Sequence, residues 1–136
     1  MLWRRLSRVA IKVLNQTRDK ILASHATEAS SFTSRFLGLM GKKELPFGAA
    51  LHISPCNSIH TFFMKIPIDA VFLDKQLKVV KVCSAMVPWR VSSIYFGAHS
   101  VLELPSGTTL ASGTAEGDQL LFEATELPLT GENRVA

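Results

Sequence analysis

Turn-forming residues interrupt this chain at short intervals, and the apolar runs between them have the length of strands, not of helices. Leu45-Pro46-Phe47-Gly48 precedes the run 50–53, and runs at 59–64 and 68–73 follow. Asp74-Lys75-Gln76-Leu77 separates Val71-Phe72-Leu73 from Val79-Val80-Lys81-Val82 at hairpin spacing. Val101-Leu102-Glu103-Leu104 closes on Pro105-Ser106-Gly107, and Gly117-Asp118 opens a last run at 119–123. Chain cut this way is confined to sheet, and its central strands read as buried on both faces.

The N-terminal part fits the same plan. Ala10, Val13, Ile21 and Leu22 flank Asn15-Gln16-Thr17-Arg18-Asp19, which has the composition of a loop joining two short strands. Ala29, Phe32, Thr33, Phe36 and Leu37 recur at three- and four-residue spacing, with Thr27 as N-cap and Gly38 or Gly41 as terminator. This spacing predicts one short helix near residues 27–38. The segment 86–97 has no period and is the longest expected surface loop. The expected fold is mainly β, of α+β type: a small barrel-like sheet of antiparallel or mixed strands with that one helix. Residues 1–8 read as a basic tail, 9–123 as a single β-rich domain and 124–136 as a C-terminal tail.

Composition supports one folded unit, since 136 residues that are 47% hydrophobic and 19% charged exclude disorder. The formal charge of +4 is concentrated: residues 1–20 carry +5 and the remainder −1. A near-neutral body speaks against a broad nucleic-acid surface, so no nucleic-acid partner is expected. Arg8 and Lys12 break any secretory core, and no run is long enough to span a membrane. The expected compartment is therefore cytoplasmic. Leu2, Trp3, Leu6 and Val9 among arginines leave room for a peripheral association with the envelope. Cys56 and Cys83 are too few for a disulfide framework and read as free thiols.

Chemistry-bearing residues concentrate between Cys56 and Asp69. If that stretch is extended, Cys56, Ser58, His60, Phe62 and Met64 share one face. Thiolate, imidazole and thioether from Cys56, His60 and Met64 would suit copper, but alternate strand residues lie about 7 Å apart and cannot share an ion without a bend. Cys56 and His60 could also be nucleophile and base, with Asp69 holding the imidazole. Asp69 and Glu103 each sit within apolar strands, where an ionised carboxylate needs a partner. Lys65, Arg90 or backbone amides would serve Asp69. Trp89-Arg90 follows Pro88 in the long loop and reads either as a contact patch or as an indole plugging one end of a barrel with Arg90 paired to Asp69 or Glu103. No Gly-rich loop leads from a strand into a helix, which removes nucleotide chemistry.

Several of these segments together resemble the bacterial and archaeal family called domain of unknown function 192. They are Arg35-Phe36-Leu37-Gly38-Leu39-Met40, His60-Thr61 to Met64 running into Pro67-Ile68-Asp69, Phe72-Leu73-Asp74, Ala98 with the Val101 to Gly107 stretch, and Gly117-Asp118. The resemblance spans roughly residues 9 to 123. It implies a small β-rich domain with a barrel-like sheet and one short helix, without an assigned biochemical role. Members with the Cys-x-x-x-His-Thr form accompany pilus-assembly and secretion genes, which implies work at the envelope. Phe63-Met64-Lys65-Ile66 stands here where many relatives have Trp-Met-Lys-Asn-Thr.

The expected function is a non-catalytic module that binds a small ligand or a protein, with His60, Met64, Asp69, Trp89, Arg90 and Glu103 gathered at one site. No cofactor is expected. The alternatives are a thiol-dependent hydrolase or transferase using Cys56 and His60, and a soft-metal protein using Cys56, His60 and Met64.

Overall fold

The computed structural model describes residues 7–29 and 45–128. Seven strands form one mixed sheet: β1 (Ser7–Asn15), β2 (Lys20–Ala29), β3 (Ala49–Ile53), β4 (Ile68–Leu73), β5 (Val79–Met86), β6 (Ser100–Pro105) and β7 (Leu120–Pro128). Their order across the sheet is β5-β4-β6-β3-β2-β1-β7. Only β2 and β3 run parallel; every other pair is antiparallel. The sheet curls until its edge strands meet at one end, where Lys78 bridges Gln119 and the Val79 amide donates to the Asp118 carbonyl at 2.8 Å. It is not closed into a barrel, because β5 and β7 stand at the two ends of the strand order and are not paired as neighbouring strands.

The strand alternation divides the apolar residues into two cores. All seven strands contribute to the inner one, through Val13, Leu22, Ala50, Val71, Val79, Leu102, Leu104 and Leu120 among others. The outer core lies on the opposite face of β3, β4 and β6, where Leu51, Ile68, Ala70, Phe72 and Val101 pack with Ile59 and Met64. Residues 54–67 and 87–99 form the loops that cover it.

Two expectations need correction. Thr27, Glu28 and Ala29 do not begin a helix; they belong to β2 and pair with Leu51, His52 and Ile53 of β3. The cross-strand ladder outweighs the three-four spacing there, and the rest of the expected helix, residues 30–38, lies outside the described residues. The helix within the described residues is α1 (Thr108–Ser112), which follows the Pro105-Ser106-Gly107 turn. It starts and stops at Gly107 and Gly113, both in the left-handed region that glycine tolerates. Finally, residues 59–64 are not a strand: apart from a single bridge between His60 and Val91, they form irregular chain with one turn at Phe62-Phe63.

Candidate functional site

The segment that carries most of the chemistry is an irregular loop zipped to the loop after β5. Thr61 joins them, and it is fully buried. Its amide donates to the Arg90 carbonyl at 2.8 Å, and its carbonyl accepts from the amides of Met64 and Trp89 at 3.2 and 3.0 Å. Its hydroxyl accepts from the Arg90 amide at 2.9 Å and donates to the Val87 carbonyl at 2.7 Å. The hydroxyl thus stands inside the Val87-Pro88-Trp89-Arg90 turn and replaces its direct closing bond. Further along, the Ile59 amide donates to Ser92 Oγ, the Ser92 amide to the Ile59 carbonyl and the Tyr95 amide to the Asn57 carbonyl.

This zipper displays rings. Phe63 and Trp89 both have φ of 67°, in the left-handed region where bulky side chains are rare and strained. Met64 bonding back to Thr61 turns the chain at Phe62-Phe63, and the Pro88-Trp89 turn faces it. The Trp89 ring packs edge-on against Phe63 at 4.8 Å and stacks on Phe62 at 5.6 Å, and Phe62 stacks on His60 at 4.9 Å. Phe63 and Trp89 remain 55% and 57% exposed, so they are not core. Val87, Val91, Ile94 and Phe96 of the same loop are exposed as well. Residues 54–67 and 86–99 contain Lys65, Arg90, His60 and His99 and no carboxylate, which makes the surface cationic as well as apolar.

The six expected site residues separate into three groups. His60, Trp89 and Arg90 come together at this platform. Met64 lies beneath it, 6% exposed, and belongs to the outer core. Glu103 pairs in register with Ala70 and Leu51, which puts it on the outer-core face, where burial pushes its carboxyl up to about 7. Asp69 pairs with Leu104 and therefore points to the inner face. The two carboxylates lie on opposite sides of the sheet and are no acid/base pair.

Asp69 finds partners among those expected of it, backbone amides, and one that was not. Oδ1 accepts from the Ala85 amide at 2.8 Å; Oδ2 accepts from the Thr109 amide at 2.8 Å and the Thr109 hydroxyl at 2.7 Å. It does not hold His60, whose Nδ1 accepts from the Phe62 amide at 3.2 Å. The arrangement of Cys56, His60 and Asp69 as a catalytic set is thereby lost. Cys56 donates its thiol to the Ser58 carbonyl at 3.1 Å. Among the described residues no three His, Cys, Asp or Glu side chains gather around a metal position. Trp89 does not plug the sheet, and no ion pair among the described residues joins Arg90 to Asp69 or Glu103.

Sequence reasoning missed Thr61, Phe62, Phe63 and Thr109. Thr61 and Thr109 carry no local signal, because each acts on a segment distant in the chain. The adjacent aromatics were readable: two large rings between His60-Thr61 and Met64, opposite Pro-Trp, cannot all enter one small core.

The fold and site define a small open-sheet domain whose distinctive surface is built by two interlocked loops. The family model for domain of unknown function 192, described as an uncharacterized ACR, matches residues 13–122, and the chain belongs to this family. A UPF0127 protein of Pyrococcus horikoshii is 34% identical over 113 residues, covering 79% of this chain and 96% of that protein. A UPF0127 protein of Thermococcus gammatolerans is 31% identical over 119 residues, covering 84% and 76%. The solved structure of a protein of unknown function from Novosphingobium aromaticivorans superimposes with a TM-score of 0.71 at 19% identity, covering 82% of this chain and 83% of that one. The family is uncharacterised. Among the described residues no helix is long and apolar enough to cross a membrane.

Proposed function

We propose that this protein is a non-catalytic binding module, and that its partner is a protein segment carrying an aromatic or aliphatic side chain flanked by carboxylates. One observation carries the reading: Phe63 and Trp89 are both held in strained left-handed backbone and both leave more than half their surface in water. Strain and exposed ring surface each work against the folded monomer, and a contact that buries the rings offsets both. Aromatic and arginine side chains are the residues that anchor protein interfaces. Arg90 and Lys65, without a neighbouring acid in either loop, select an acidic flank.

Single-stranded nucleic acid would also use rings and cations. Here the rings are engaged with one another, and Val87, Val91, Ile94 and Phe96 supply aliphatic surface and an outlying ring that base stacking does not need. Work beside envelope or pilus-assembly machinery is the setting the family resemblance implies for such a module.

Selection of a displayed random-peptide library on the protein provides the test. Enriched peptides should combine an aromatic or aliphatic anchor with Asp or Glu, and should bind the Phe63→Ser/Trp89→Ser double variant at least about tenfold more weakly. Equal binding to the double variant, or tighter binding of oligothymidylate than of any selected peptide, would remove the proposal. Both positions are largely exposed, so the double variant is expected to unfold at an unchanged urea midpoint.

A further inference from the structure

We infer that the cavity beside Asp69, which shares no residue with the aromatic platform, binds an alkylammonium group. A bulge in β5 builds it. Ile68 pairs with Met86 and Ala70 with Cys83, so Ser84 and Ala85 together oppose the single residue Asp69. Ala85 takes a φ of 52°, and its amide turns onto Asp69 Oδ1. The bulge also brings Ser84 Oγ to 2.8 Å from Thr109 Oγ1. Ser84, Asp69, Thr109, Gly113, Thr114 and Leu110 contribute to the lining of a cavity of about 470 Å³, a size that suits a small ligand.

The direction of the protons follows from counting them. Thr109 has one hydroxyl proton, and it goes to the Asp69 carboxylate. Thr109 Oγ1 can then only accept from Ser84, whose own proton is thereby committed. What Ser84 offers the cavity is lone pairs, so a ligand there must donate. The charge points the same way. Among the described residues lining the cavity, Asp69 is the only charged one; it is fully buried, and no Lys, Arg or His among them opposes it. A donor with a positive charge is therefore preferred over a neutral one. At the rim, Leu110 is 84% exposed and provides apolar contact for an alkyl chain. Gly113, also in the lining, adds no side chain that would narrow the cavity.

An alkylammonium can be a free amine or the side chain of a peptide lysine. The test follows the amide resonances of the whole chain by NMR while n-butylammonium, n-butanol, butyrate or Nα-acetyl-lysine methylamide is added. The expected result is saturable shifts at Ala85, Gly107 and Thr109 with the two ammonium compounds, and weaker or absent shifts with butanol and butyrate. Ser84 is exposed, so Ser84→Ala is expected to fold, and it should weaken butylammonium binding roughly five- to tenfold. Tighter binding of the lysine derivative than of butylammonium supports a peptide lysine as the source, and equal binding supports a free amine. The inference is overturned if butanol binds as well as butylammonium, if butyrate binds better, if no probe saturates, or if Ser84→Ala leaves the affinity unchanged.

Discussion

At the scale of single residues, the most consequential group for stability is a carboxyl buried on the outer-core face of the sheet. Glu103 titrates near 7 because its strand position buries it on the outer-core face, not because a second acid lies close. Unfolded, it would titrate near its ordinary 4.5. Between those values the folded state holds a proton that the unfolded state has lost, so stability falls as pH rises through this window and levels off above it. The loss is about 3 kcal/mol in total. Glu103→Gln keeps the shape and removes the titration. Urea midpoints measured from pH 4 to 8 should decline for the parent protein and stay flatter for the variant, and parallel curves would show that the carboxyl is solvated after all. Thr61 is the other residue with leverage. Thr61→Val retains the shape but leaves the Arg90 amide and Val87 carbonyl without their shared partner, a cost of about 2 to 4 kcal/mol. In a Trp3→Phe background it should also change the fluorescence of Trp89, which a loss confined to the core would not do.

Among elements, legibility in the sequence followed whether a segment's structure is decided locally. The β1-β2 turn, the β4-β5 hairpin and the apolar runs of β3, β4 and β6 could all be read, because alternation and turn residues act within a few positions. The run 59–64 could not. Its β-branched and aromatic residues imitate a strand, but Thr61, Ile59 and Asn57 spend backbone bonds on residues 89–95. A five-residue helix such as α1 has too little length for a period to show. The site divided in the same way: His60, Trp89 and Arg90 stand together because their two loops bridge, whereas strand register alone placed Asp69 and Glu103 on opposite faces.

The turn after β1 illustrates how a local element comes to depend on a distant one. Asn15 is fully buried, and its Nδ2 donates to Thr114 Oγ1 and Asp118 Oδ2, both at 3.0 Å. Arg18 Nε donates to the same carboxylate oxygen at 2.9 Å. Burial would raise the Asp118 carboxyl, but the hydrogen bonds from Arg18, Asn15 and the Ala115 amide outweigh it and hold it below the usual range. Asp118→Ala should cost about 1 to 3 kcal/mol, because one donor proton of the buried Asn15 amide and the Ala115 amide lose their acceptor. The sign of the pH effect is opposite to that of Glu103: this stability is present above the ordinary carboxylate pKa and is lost as pH falls through the depressed one. Thermal melts of Asp118→Ala and the parent protein should therefore converge toward pH 2.

For the whole molecule, one curled sheet with a core on each face implies two levels of cooperativity. The inner core ties all seven strands together, so a cavity there weakens every pairing at once. The outer core is covered by the two loops that carry the platform, and its loss frees them without opening the sheet. Leu102→Ala, at a fully buried inner position, should cost about 2 to 5 kcal/mol and lower protection from hydrogen exchange throughout β3, β4 and β6. Met64→Ala removes a side chain of similar size from the outer core. It should accelerate exchange chiefly at the amides of Thr61, Trp89, Ser92 and Tyr95, which join the loops, while the Val71 and Leu102 amides keep most of their protection. Native-state exchange by NMR distinguishes the outcomes. If both variants loosen loops and strands equally, the molecule has a single cooperative core, and the platform is as rigid as the sheet beneath it. If they separate, the loops can open on their own, and the contact surface is drawn from the least stable part of the fold, where a partner can adjust the rings as it binds.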